Sequence, residues 1–133
     1  MAALTLHAHG AAPVTVAWER YADPQLWPAW APQIQRVETD MRRLAAGATG
    51  VVHAGPFPRP TLAVPFEILE VDESAREWSW QVSLGVLRLR LEHGVTTHLT
   101  GSSTWLRIHG SRPVIFAYAP LARIALGRLV AYA

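Results

Sequence analysis

The sequence predicts an α+β fold: one antiparallel sheet, two short helices after its first strand, and a long helix at the C-terminus. Three observations predict it. Trp78, Trp80, Val82 and Leu84 alternate with polar residues, and after Gly85 the alternation resumes at Leu87, Leu89, Leu91 and His93, which describes a hairpin with one apolar and one polar face. Near the N-terminus the period changes, with Val14, Ala17, Trp18 and Tyr21 at the i, i+3, i+4, i+7 spacing of a helix. Residues 113–130, rich in Ala and Leu, form the only element long enough to cover the apolar face of such a sheet.

The elements follow in order. Leu4, Leu6 and Ala8 alternate with Thr5, His7 and His9 in a first strand that turns its histidines to solvent. Pro13 suits the first position of the first helix, and Asp23-Pro24 pairs a carboxylate cap with a proline start for the second. Pro28 and Pro32 end that helix quickly, leaving Trp27 and Trp30 as structural rings around the break. Residues 34–39 and 50–54 read as strands around an Ala46-Gly47-Ala48 loop. The three prolines of Gly55-Pro56-Phe57-Pro58-Arg59-Pro60 exclude regular sheet there, and Pro65 within the strand at 61–71 marks a bulge or an edge. If Phe66 points inward, Glu67 faces solvent, unless a bulge at Pro65 reverses the two. Thr104, Leu106 and Ile108 form the last strand, Gly110 ends it, and the final helix is expected to break at Pro120. A curved sheet gripping one helix leaves a gap at one end, and that gap is a natural apolar cavity.

With 133 residues, half of them hydrophobic, the chain is expected to form a single domain over 1–133 and to bury about two-thirds of its unfolded surface. The absence of cysteine excludes disulfides, thiolate metal sites and a thiol nucleophile. All twelve basic residues are arginine, so Schiff-base chemistry and a Walker-type phosphate loop are excluded as well. A net charge of +2 with mixed signs is no phosphate-binding footprint, so no nucleic-acid partner is expected. His7 and His9 lack a third ligand nearby in sequence, and no metal or other cofactor is expected. Residues 1–10 do not read as a secretory signal, and residues 114–133 are too interrupted by Pro120, Arg123, Gly127 and Arg128 to span a membrane. The expected location is cytoplasmic; a homodimer is left open.

The segment Ala17-Trp18-Glu19-Arg20-Tyr21-Ala22-Asp23-Pro24-Gln25-Leu26-Trp27-Pro28-Ala29-Trp30-Ala31-Pro32 resembles the opening of the START-like (SRPBCC, Bet v 1-like) superfamily, and within it the small polyketide cyclase/dehydrase group. Pro65-Phe66-Glu67-Ile68, Arg76-Glu77-Trp78-Ser79-Trp80, Leu91-Glu92-His93-Gly94-Val95 and Gly127-Arg128-Leu129 extend the resemblance over nearly the whole chain. It implies a helix-grip fold, a curved antiparallel sheet wrapped around the long C-terminal helix, with a hydrophobic cavity that takes lipids, polyketides or other apolar molecules. These motifs are specific for the fold and weak for function, and they carry over no catalytic set.

Candidate catalytic residues are His93, Tyr118, His53 and Arg59. Strand parity puts His93 inside beside Leu89 and Leu91, where an imidazole can relay a proton; the commoner use of a lone core histidine is a structural hydrogen bond. Tyr118 in the last helix can donate to a substrate carbonyl, with Phe116 and Arg123 flanking it and Arg123 at the rim. His53, Phe57 and Arg59 surround the proline loop, a stiff gate at a cavity mouth where Arg59 can hold a carboxylate or enolate, or be a surface residue on a turn. Trp80, Phe57, Phe66, Leu89, Leu91 and Phe116 are the candidate substrate-binding residues, and Trp78 reads as core.

The leading expectation is a cyclase or dehydrase acting on a polyketide-like, hydrophobic small-molecule substrate by proximity and exclusion of water. The alternatives are a non-catalytic carrier or sensor of a lipid or hydrophobic metabolite, and a subunit whose cavity is filled by its own side chains. Convergent polar groups in an open pocket favour the enzyme, a uniformly apolar tunnel the carrier, and a collapsed cavity the third.

Overall fold

A computed structural model describes residues 2–55 and 62–132. Strand β1 (Ala2–Gly10) leads into α1 (Val14–Ala22), a single 3-10 turn (Pro24–Leu26) and the short α2 (Trp27–Trp30). Six strands follow, β2 (Ile34–Glu38), β3 (Thr49–Ala54), β4 (Leu62–Asp72), β5 (Glu77–Leu84), β6 (Leu87–His98) and β7 (Gly101–Gly110), and α3 (Arg112–Leu129) closes the chain. All strands join one antiparallel sheet in the order β1-β7-β6-β5-β4-β3-β2. This is the expected helix-grip arrangement.

Strand parity does what the alternation requires. Leu84 pairs with Leu87 across Gly85-Val86, and the positive φ of 62° at Gly85 alone fits a II′ hairpin turn. Trp80, Leu89 and Leu91 are 6%, 3% and 1% exposed on the face that α3 covers, and Glu67 is exposed opposite the buried Phe66. Gly94 faces Trp105 in the β6–β7 ladder, where a Cβ would collide with the indole.

Of the bulge or edge expected at Pro65, the second describes it: Pro65 pairs with Val51 but lies one residue beyond the end of the β4–β5 ladder, so on that flank it sits at a free edge with no ladder to interrupt. The bulge falls instead between Ile68 and Glu70, and it brings Val71 rather than Glu70 opposite Trp78. Pro120 does not break α3, which continues to Leu129. Pro120 and Phe116, four residues before it, both lie on the solvent side, where water can take the carbonyl that the missing N–H leaves unpaired.

The helix α3 lies closest to β1 and β7, burying Ile115, Ala119, Ala122, Ala125, Leu126 and Leu129. Its C-terminus is held by the Arg20 guanidinium, which donates to the carbonyls of Leu129 and Ala131 at 2.7 Å each, a cation placed on the negative end of the helix dipole. The Asp23 carboxylate accepts from the Gln25 N–H, as its capping position predicts. Arg43 bridges Glu19 and Glu73, and Glu73 also accepts from the Trp18 indole, fastening α1 to the β4–β5 turn.

Candidate functional site

Because α3 leans toward the β1–β7 edge, the two ends of the helix–sheet space are filled differently. The end beside α1 and α2 is closed by rings. Trp27 stacks on Trp78 with centroids 5.7 Å apart and touches Phe66 and Trp80, while Tyr21 meets Trp30, Trp78 and His93 edge-on. Trp27 is therefore a structural ring, as expected, and it sits at the centre of the core.

A chain of hydrogen bonds runs through this closed end, and its direction is fixed. The Trp80 indole can only donate, so His93 Nε2, 3.1 Å away, must be the bare nitrogen. Neutral His93 then carries its proton on Nδ1 and donates it to the Tyr21 hydroxyl at 3.2 Å. At the far end the Thr104 hydroxyl donates to the Gly94 carbonyl at 2.8 Å, so Tyr21 must donate to Thr104, 2.6 Å away. Every polar atom of the chain is satisfied by neutral His93 alone. Burial pushes the His93 pKa down to about 3, and a second proton on Nε2 would face the Trp80 N–H.

The other end is open. A cavity of about 330 Å³ lies between α3 and the sheet, walled by Val52 of β3, Val64 of β4, Trp80 and Val82 of β5, and Leu89 and Leu91 of β6. From above, Tyr118 and Leu121 of α3 cover it. Leu62, 56% exposed, and Gly55 line it at the margin, so it reaches the surface beside the ends of β3 and β4. The polar side chains among its described walls are Gln33 and Tyr118, since the Trp80 N–H is committed to His93.

The Gln33 backbone is pinned where α2 turns into β2: Ile34 N–H donates to the Ala31 carbonyl, and Gly55 N–H to that of Gln33. The Gln33 Oε1 atom is buried without a hydrogen-bond partner. Tyr118 is half-buried, and burial pushes its pKa up to about 12 despite a hydrogen bond with the Gln33 side chain, which favours the phenolate and so presents the amide N–H to the Tyr118 oxygen. Behind these two residues lies a smaller void of about 10 Å³, bordered also by Trp78, Trp80 and His93.

The candidate residues named from sequence divide accordingly. Trp80, Leu89, Leu91 and Tyr118 meet at the cavity. His93 is inside, as parity places it, but behind Trp80 at the small void. Phe66 is buried in the ring cluster and does not line the cavity. Phe116 is 70% exposed, because two residues along a helix rotate by about 200° and Tyr118 has taken the inner side. His53 points to the outer face, where it bonds Glu38, because its neighbour Val52 is the inward residue. Phe57 and Arg59 lie outside the described residues. Gln33 is not legible in the sequence, as it belongs to the three-residue link Ala31-Pro32-Gln33 between α2 and β2, which has no periodicity to read.

The whole chain, residues 1–133, matches the protein family described as polyketide cyclase / dehydrase and lipid transport. No curated protein matches. Among solved structures, the di-domain ARO/CYC BexL from the BE-7585A biosynthetic pathway is similar at 15% identity and a TM-score of 0.79, over 98% of this chain and 45% of that one. Ginseng major latex-like protein 151 from Panax ginseng is similar at 13% identity and a TM-score of 0.78, over 96% and 94% of the two chains. Ara h 8.0201 is similar at 15% identity and a TM-score of 0.71, over 96% and 97%. At such identities the likeness concerns the fold. No helix among the described residues is long and apolar enough to cross a membrane.

Proposed function

This chain belongs to the polyketide cyclase/dehydrase and lipid transport family, and from that premise we propose that it binds an apolar small molecule in the cavity beneath α3. The observation that carries the reading is the cavity itself: about 330 Å³ of space with apolar walls and two uncharged polar side chains, in a chain that fills the other end of the same interface down to a void of about 10 Å³. An empty apolar space costs stability that an apolar occupant restores.

The chemistry available there favours holding and orienting over proton transfer. His93 stays neutral behind Trp80, and the Tyr118 phenol keeps its proton at neutral pH. Binding or carriage of a hydrophobic molecule therefore comes first. The second reading, a cyclase or dehydrase, rests on the Tyr118 hydroxyl: in an apolar cavity it can donate to a substrate carbonyl and stabilise the enolate while the walls fold the chain. His93 then acts as a positioning residue for the Trp80 wall.

Native mass spectrometry of the chain purified from its own host tests the first reading. The expected spectrum shows a small-molecule adduct that dissociates on activation. A bare chain mass, together with no uptake of apolar probes, overturns it. Once a substrate is known, Tyr118→Phe separates the two readings: an enzyme loses about 10²-fold or more in turnover, as for removal of an oxyanion donor, whereas a carrier has no turnover to lose.

A further inference from the structure

The two polar side chains of the cavity stand together where it meets the small void, and their hydrogen-bonding needs are complementary. Gln33 Oε1 is an acceptor, buried and unpartnered. The Gln33 amide N–H faces the Tyr118 oxygen, which leaves the phenol's own proton to donate, and both residues border the cavity and the void. At about 10 Å³ the void is close to the smallest space that accepts one water-sized group. A single hydroxyl fits the pair: its proton goes to Gln33 Oε1 and its oxygen accepts from Tyr118. A hydrocarbon leaves the Gln33 acceptor unpaired. A carboxylate brings no donor, and it would place a charge at a floor with no cation among the described walls.

We infer that the cavity selects a neutral apolar molecule with one hydroxyl at its inner end, seated between Gln33 Oε1 and the Tyr118 hydroxyl. The inference rests on the reading of the cavity as a ligand site. At ~30 Å³ per water-sized group, about 330 Å³ holds on the order of ten to fifteen non-hydrogen atoms, so a phenol or enol on two fused rings is the class that fits.

Equilibrium dialysis of the full chain with three probes of one size tests it: 2-naphthol, its isostere 2-methylnaphthalene, and 2-naphthoate. In the unmodified protein, 2-naphthoate is expected to bind at least about tenfold more weakly than 2-naphthol, since a buried charge goes unpaired. Gln33→Leu is expected to weaken 2-naphthol about tenfold while leaving 2-methylnaphthalene within about twofold. Tyr118→Phe, which removes a single oxygen, is expected to weaken 2-naphthol several-fold, again sparing 2-methylnaphthalene; it carries the test if Gln33→Leu does not fold. Equal loss of both neutral probes, unchanged 2-naphthol affinity in the variants, or preference for 2-naphthoate overturns the inference and leaves the cavity reading standing. If none of the three binds the unmodified protein, the cavity reading fails, and the inference with it.

Discussion

At its closed end the space between α3 and the sheet holds four indoles, a phenol and an imidazole whose ring nitrogens are both hydrogen-bonded. At its open end the same sheet and the same helix face each other across about 330 Å³ with valines and leucines for walls. The difference lies in side-chain length along each strand. On β5 the inward sequence runs Trp78, Trp80, Val82, so the filling shortens toward the hairpin, and β6 runs from His93 through Leu91 to Leu89 in step with it. One fold thus assigns rigidity to one end and room to the other.

The comparison breaks first where the rings are densest. Trp27→Ala is expected to cost about 3–5 kcal/mol in denaturant unfolding, since Trp27 touches three other rings and has no exposed side to relax into. A loss below about 1 kcal/mol would mean that the closed end is as loosely filled as the open one.

The next effect is in pH. Folded His93 has its pKa depressed to about 3, below the ordinary 6.5, so the unfolded chain binds the extra proton first. Its contribution is complete above about pH 6.5 and is lost as pH falls toward 3. Between pH 6.5 and 4.5, above most carboxylate titration, the protein should lose about 2–3 kcal/mol of stability. His93→Gln keeps a donor and an acceptor but does not titrate, so its stability should be nearly flat over that interval. Parallel pH profiles for the two proteins would remove His93 from the account.

Tyr21→Phe removes one oxygen from the hydrogen-bond chain and leaves the His93 Nδ1–H without its partner, for an expected loss of about 1–2 kcal/mol. At the open end, Leu121→Ala only enlarges a space already present, and its expected cost is under about 1 kcal/mol, well below that of a filled core site.

The sequence was most legible where the backbone repeats every two residues. Alternation on β5 and β6 places Trp78, Trp80, Leu89, Leu91 and His93 inside without reference to any other element, because a one-residue error would expose the whole set. It does not say which inward residue meets the cavity and which meets the rings, since that depends on where α3 crosses. The phase of α3 was harder: apolar residues surround that helix on all sides, so Phe116 and Tyr118 were equal candidates until packing chose Tyr118. His53 was assigned by nearness to the proline loop, and parity within β3, which turns Val52 inward, would have corrected it. Gln33 follows Pro32 in an irregular link, where no pattern precedes the tertiary structure.

The central claim, that the open end is a binding site and not a packing defect, is tested most directly by filling it. Val64 projects into the cavity from β4, and Val64→Phe would occupy part of the space with atoms of the chain itself. Uptake of 2-methylnaphthalene, measured by equilibrium dialysis beside the unfolding midpoint, is expected to fall at least about tenfold while the midpoint holds or rises. Undiminished uptake by a folded Val64→Phe protein would place the ligand elsewhere and contradict the account.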